Sequence, residues 1–452
     1  MVRPGFLTTK MRSYSHILHL TAGIVLTTAV FQLGYQVEQQ AFASIFGWYT
    51  VAFAAYAWII FSQGINIRYW WIFALGLRIL LLFAFPKLSD DVFRFIWDGR
   101  LWMAGINPFA QLPAFYMEPG HTVPGLTAEL FAQLNSPNYF TIYPPVNQAV
   151  FAISAWWAPD NWAAAAVVMK LFLLAGEAGG LYALYLLLRQ LELPSERWLW
   201  YALNPLVIVE ISGNLHFEGI MIAFTLGSLY FLLKEKWVPA ALLLAGGICT
   251  KLWPVMLVPL FWRRLGWRKG FFFAVLTGLV TTGAMWPLFG DFFVQNFGNS
   301  LNLYFKKFEF NASLYYLLRW IGFQFKGYNV IQTLGPALAL CAGVVILYLS
   351  WMSRSLKNQQ VPIVVLFIFT LYFFSATIVH PWYITFLVAV SVLGPYRYPV
   401  LWSFLIILSY AAYAAPGFKE PLWMTGMEYV LIFTFAGMEW HKYRLSGKST
   451  QP

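Results

Sequence analysis

The stretch "SDDVFRFIWDGR", Ser89 to Arg100, places three aspartates and two arginines within a few residues of one another. Read as a helix over 89–104, Asp91, Arg94, Phe95 and Asp98 follow the i, i+3, i+4, i+7 spacing of one face, while Val92, Ile96 and Gly99 lie on another. Ser89 or Asp90 is placed to cap its start, where a carboxylate meets the positive end of the helix dipole. Asp98, four residues after Arg94, is placed to pair with it. Asp91 is then the carboxylate left over, free to take a proton from an attacking hydroxyl. A departing phosphate would need cations or hydrogen-bond donors, and Arg94, Arg100, Lys251 and His380 are the candidates.

The elements that must carry these residues are apolar. Of 452 residues, 60% are hydrophobic, 20% aromatic and only 10% charged. A soluble globular domain carries charge on about a quarter of its residues, so this is an all-α polytopic membrane protein. The net charge of +11 does not indicate nucleic acid, because the basic residues sit in short clusters between apolar runs, as in cytoplasmic loops. Cys249 and Cys341 lie inside apolar runs without metal-ligand spacing, which excludes a zinc site or a disulfide framework as the organising feature. Arg3, Lys10 and Arg12 precede an apolar stretch, and "AFAS" resembles a cleavage site. The run from Ile17 to about Tyr35 is nevertheless too long for a signal peptide and reads as a retained span.

Apolar runs fall near 17–36, 43–62, 69–86, 163–190, 197–211, 217–233, 238–249, 252–262, 269–288, 331–351, 361–378, 382–394, 398–414 and 422–440. They predict about fourteen transmembrane helices in a single domain, 1–452, with a cytoplasmic N-terminus and most basic clusters inside. Two long stretches are left outside, 87–142 and 289–330, and the first includes the amphipathic helix at the membrane surface. The run between Lys236 and Arg263 has basic clusters at both ends, so it must turn near "CTKLWP". Each arm is then too short to cross, which places Lys251 below the outer surface, inside the protein. "YPPVNQAVFAISAWW" reads as a re-entrant or interfacial helix, with Pro144 and Pro145 suited to its first turn.

Other ionisable residues converge on the same outer side. Glu210, Asn214, His216 and Glu218 gather in "NPLVIVEISGNLHFEG", and His380 opens a span in "HPWY". A single histidine in a membrane protein is ordinarily a hydrogen-bonded structural residue. A group of costly ionisable side chains at one depth instead faces a cavity or a partner. The null account of Lys251 is snorkelling from a helix end, whereas a lysine between short hairpin arms is placed to meet a phosphate at headgroup depth.

At these residues the sequence resembles the polytopic glycosyltransferases of the GT-C superfamily, particularly bacterial mannosyltransferase-like members that use polyprenyl-phosphate sugars. The resemblance rests on "SDDVFRFIWDGRLWMAGINPF", "YPPVNQAVF", "ALNPLVIVEISGNLHFEG", "TKLWPVMLVPL", "FNASLYYLLR" and "HPWYITFLV", in that order between about residues 85 and 395. It implies a GT-C-like bundle in the bacterial plasma membrane, with a catalytic loop over 87–142 facing the periplasm or exterior. It implies inverting transfer of a sugar, mannose by analogy, from a polyprenyl-phosphate donor to a glycan or glycolipid acceptor. The family's acidic base in the first external loop falls on Asp91, or on Asp90 if the register is one off. Arg94, Asp98, Arg100, Tyr143, His216, Glu218, Lys251, His380 and Trp382 become candidates for binding substrate. Trp97, Trp102, Tyr143, Trp382 and Tyr383 could stack on sugar rings, although aromatic belts are everywhere in this chain. Where the family often carries His-Asn-Asp, this chain has His216-Phe217-Glu218, a departure that bears on substrate preference more than on reaction class. No external DxD pair suggests a nucleotide-sugar metal site, so neither a metal nor another cofactor is expected.

A flippase or transporter of lipid-linked sugars is the rival from another class. Transporters place their charges near the midplane and show repeat symmetry, whereas here the charges sit at outer ends and no repeat is visible. A polymerase or ligase acting on lipid-linked glycans would differ only in acceptor. Asn311-Ala-Ser313 is formally a glycosylation sequon, and the helix after it is expected to lie over the cavity mouth.

Overall fold

The computed structural model describes residues 4–62, 67–415 and 417–448, and Arg3 of the basic N-terminal cluster lies outside them. Among the described residues the chain is all-helical, with one isolated parallel bridge between Phe310 and Ile378. Six helices are long and apolar enough to cross a bilayer alone: Ile17–Tyr35, Phe42–Phe61, Trp162–Gln190, Trp267–Leu288, Ile331–Ser355 and Asn358–Ser375. Pro205–Gly213 and Glu218–Leu233 could make a seventh, bent by 116°. Trp237–Ile248, Pro381–Ser391 and Tyr398–Tyr413 are apolar but short.

The fourteen apolar runs are therefore unequal in structure. The run 197–211 breaks into short turns because Asn204 caps a new start at Pro205, its Oδ1 accepting from Leu206 N at 3.0 Å, and residues Ile208–Gly213 widen into a π-helix. Irregular backbone at membrane depth is tolerated where the protein satisfies it. Lys170 donates to the carbonyls of Leu81, Ala84 and Gly213, and Arg78 donates to Ala202 O and to Glu177 Oε1 at 2.9 Å. Glu177 also accepts from Ser212. These buried charges on Ile67–Leu80 and Trp162–Gln190 pin the break that delivers Glu210 and His216. Close packing supports it, since Gly176 and Gly180 let Trp162–Gln190 lie against Ile220 and Ala223 of the next helix.

The Asp91–Met103 helix does not float on the surface. Val92, Phe95, Trp97 and Leu101 enter a core of their own with Phe151, Leu215 and Phe217, and Arg94 and Asp98 are buried as well. Its polar face can be buried because Asp98 is fully partnered: Arg94 Nε at 2.9 Å, Gln148 Nε2 at 2.9 Å and Thr141 Oγ1 at 2.5 Å. The helix crosses Pro145–Trp157 at Gly99, where an added Cβ would fall 2.3 Å from the backbone oxygen of Phe151. Gly99→Val is accordingly expected to cost about 1–3 kcal/mol, the usual range for overpacking. Thermal unfolding of detergent-solubilised protein would show it, and Phe151→Ala should not rescue it because the obstruction is main chain.

The two stretches expected outside pack on each other. Gly105, at φ +72°, turns the chain after the helix, and Asn107 then reaches Leu288 O at 2.9 Å. Asn296 donates to Phe109 O and Ser300 to Phe140 O, so the helix Phe293–Lys306 braces the loop 104–142.

Candidate active site

A cavity of about 450 Å³ opens where the start of Asp91–Met103, the loop 135–143, the hairpin turn at Lys251, the 308–310 segment and the 378–383 segment meet. That volume is in the range of small-molecule sites. The segment 377–379 is held to Phe310 by paired backbone bonds, Phe310 N to Thr377 O at 3.0 Å and Val379 N to Phe310 O at 2.9 Å. This short zipper places Glu309 and His380 on the same cavity.

Asp91 lies at the first turn of its helix and is partly exposed to the cavity. Its Oδ1 accepts from Asn135 Nδ2 at 3.0 Å, and its Oδ2 faces His216 Nε2 across 4.0 Å. The helix is capped instead by Ser89, whose Oγ accepts from Asp91 N at 3.4 Å. Asp90 occupies the N-cap position without a capping bond. Its carboxyl is pushed upward by burial and, secondarily, by the neighbouring Asp91 charge.

His216 is buried and held from both sides. Leu215, at φ +65° in the left-handed region, throws it back so that Nδ1 lies 2.9 Å from Glu210 O and 3.3 Å from Glu210 Oε2. Glu210 in turn accepts from Tyr410 Oη at 2.8 Å and from Asn214 Nδ2 at 3.3 Å. The imidazole stacks on Trp382 with ring centres 3.7 Å apart, and His380 stacks on Trp382 at 4.3 Å. His380 lines the cavity and can act toward a phosphate as a hydrogen-bonding group.

Lys251 follows a helix of twelve residues, Trp237–Ile248, and precedes the short turn Trp253–Leu257, as the two-arm reading requires. The first turn of Pro145–Trp157 docks on this hairpin through Val146 N to Cys249 O at 3.0 Å. Lys251 Nζ sits 3.0 Å from Glu218 Oε1 and 5.9 Å from the centre of the Tyr143 ring. Glu218 is fully buried and its Oε2 makes no hydrogen bond.

The structure brings Asp90, Asp91, Arg94, Tyr143, Lys251, His380 and Trp382 to the cavity wall. His216, Glu218 and Asp98 stand directly behind it, against Asp91, Lys251 and Arg94 respectively. Arg94 is committed to Asp98 and to the carbonyls of Ser136 and Tyr139. Arg100 is not at the cavity: its guanidinium donates to Gly125 O and Pro159 O, bracing the external loop. Helical spacing put Arg100 nine residues beyond Asp91, more than two turns away, and that separation outweighs the shared sequence neighbourhood.

Glu309 went unnoticed in the sequence and lines the cavity, paired with Arg319 and accepting from Tyr315 and Asn329. Its signal was available, an acid in the second external stretch just before the sequon. The sequon itself is structural, since Asn311 is buried, donates to Glu428 Oε1 at 3.2 Å and takes φ +45°. The helix after it, Leu314–Lys326, borders a second, largely apolar groove of about 660 Å³ against the helix Leu422–Lys448, while Glu309 and Phe310 line the cavity beside Asp91 in its place.

Residues 7–265 match the model of the MptA_B family, described as Alpha-(1->6)-mannopyranosyltransferase, N-terminal domain. Alpha-(1->6)-mannopyranosyltransferase A of Corynebacterium glutamicum is 23% identical over 180 residues, 40% of this chain and 35% of that protein. Alpha-(1->6)-mannopyranosyltransferase B of the same organism is 23% identical over 147 residues, 32% of this chain and 24% of that protein. Alpha-(1->6)-mannopyranosyltransferase Rv1459c of Mycobacterium tuberculosis is 24% identical over 155 residues, 34% of this chain and 25% of that protein. The chain thus spans at most 35% of the length of these curated relatives. No solved structure matches it.

Proposed function

Since the chain belongs to the MptA_B family, matched over more than half its length, we propose that it is a membrane mannosyltransferase. It takes mannose from a polyprenyl-phosphate donor and attaches it, with inversion, to a lipid-linked or envelope glycan on the periplasmic or external side of the plasma membrane. In this reading about fourteen apolar segments lie in the membrane, the two short arms around Lys251 entering it without crossing, with 87–142 and 289–330 outside.

The observation that supports it most is a single cavity with a partly exposed carboxylate, Asp91, and a lysine, Lys251, on its wall. Asp91 takes the proton of the acceptor hydroxyl as its oxygen attacks the anomeric carbon. Lys251 stabilises the charge that grows on the leaving phosphate as the bond from that carbon breaks. Tyr143 borders the same space, while both faces of the Trp382 ring are taken by His216 and His380. The family match ends at residue 265, so it takes in Asp91, His216, Glu218 and Lys251 and leaves His380 and Trp382 beyond it.

The test is transfer of radiolabelled mannose from polyprenyl-phosphate-mannose into extracted lipid and glycan fractions by membranes containing the protein. Incorporation that survives EDTA is the expected result. Absence of incorporation from every lipid-linked sugar tried, with lipid-linked sugar instead crossing the bilayer, would replace this reading with that of a transporter.

A further inference from the structure

We propose that His216 is a positioning residue that receives the transferred proton from Asp91, with Glu210 holding the imidazolium that results. The inference rests on the reading of Asp91 as the base.

The geometry is directional. Nδ1 of His216 is occupied by Glu210, whose backbone oxygen and Oε2 lie at 2.9 and 3.3 Å. Neither is a donor, so Nδ1 carries a hydrogen and Nε2 is the nitrogen left open toward Asp91. That Nε2 is buried, has no hydrogen-bond partner and stands 4.0 Å from Asp91 Oδ2. Once Asp91 is protonated, that gap becomes a donor and an acceptor one small movement apart.

The surroundings provide for the charge that follows. Glu210 is buried, and Tyr410 and Asn214 fix its carboxylate. The groups facing His216 from other elements are Asp91, the Trp382 ring and, beyond that ring, His380, while Lys251 lies beside Glu218. An imidazolium there is flanked by Glu210 on one side and the aromatic face of Trp382 on another.

The step balances without a further reactant. The acceptor O–H bond breaks as the new bond from oxygen to the anomeric carbon forms and the bond from that carbon to the phosphate oxygen breaks. The electron pair leaves with the lipid phosphate, and the proton passes through Asp91 Oδ2 to His216 Nε2. After product leaves, the proton returns to water through the cavity.

The experiment compares wild type with His216→Ala and His216→Asn under the mannose-transfer assay, with imidazole and ring-substituted imidazoles of different basicity added at one fixed pH. Both variants should lose about 100-fold in kcat, a typical proton-transfer contribution, with KM for the donor nearly unchanged. His216→Ala should regain at least part of that loss with imidazole, more with the more basic rings, because the missing ring leaves a space beside Asp91. A loss insensitive to every imidazole, or no loss at all, overturns the relay. Glu210→Gln guards against a folding artefact: it keeps the shape of the contact, should melt near wild type, and should lower kcat about tenfold. A wild-type rate from Glu210→Gln would also overturn the proposal. Failure of wild type to transfer mannose, by contrast, removes the proposed function itself and is read before any variant.

Discussion

Asp91→Asn should abolish mannose transfer, with kcat falling by about a thousandfold and little change in the amount of folded protein. A thousandfold is about 4 kcal/mol of transition-state stabilisation. The amide keeps the size of the side chain and can rotate to accept from Asn135 as before, so the helix start is preserved while the base is lost. Asp90→Asn is the control that gives the result its meaning. Asp90 makes no capping bond, and its carboxyl is pushed upward by burial and, secondarily, by the neighbouring Asp91 charge. It also has no counterpart to the His216 contact among its neighbours, so its loss should cost less than about tenfold. Loss of transfer in Asp90→Asn with activity retained in Asp91→Asn would move the base by one residue and take the proton relay with it. The measurement is initial rate at matched expression, with donor concentration varied so that kcat and KM separate.

The sequence carried those parts of the site that depend on short-range spacing. Arg94 and Asp98 are four residues apart, and they form the pair that this spacing predicts. Lys251 sits between arms too short to cross, and the turn does lie inside the protein beside a buried acid. What spacing could not carry is which distant backbone comes back to meet a side chain. Arg100 looks like a second phosphate ligand until the carbonyls of Gly125 and Pro159 are seen to occupy it. Asp98 looks half-partnered until Thr141 and Gln148, more than forty residues on, complete its shell. The same limit applies to the helices. Hydropathy marks 197–211 as one run because most of its residues are apolar, yet Asn204 and the π-turn at Ile208–Gly213 decide its shape. Glu210 was visible as one acid among several. Its grip on His216 follows only from that π-turn and from the strained Leu215.

Lys251 offers the second large effect, and it separates two roles that a single substitution would confuse. Lys251→Met strips Glu218 of the cation beside it. Glu218 is fully buried and neither of its oxygens has a hydrogen-bond partner besides the Lys251 ion pair, so the loss should cost about 3–5 kcal/mol of stability, as for other broken buried pairs. Transfer would fall in that variant whatever Lys251 does for the phosphate. The double variant Lys251→Met with Glu218→Gln removes both charges, and replacing a buried pair as a unit is close to neutral. Its thermal midpoint in detergent should therefore return near that of wild type. Its transfer rate should not, because the charge growing on the leaving phosphate still lacks its cation: Arg94 is tied to Asp98, Ser136 and Tyr139. A deficit of about 100-fold to 1,000-fold in kcat is expected, the size seen when one transition-state donor is removed. A double variant that is both stable and fully active would reduce Lys251 to the partner of Glu218 and would require the phosphate to be held elsewhere. Arg319, released from Glu309 at the edge of the apolar groove, is the next cation to substitute in that event.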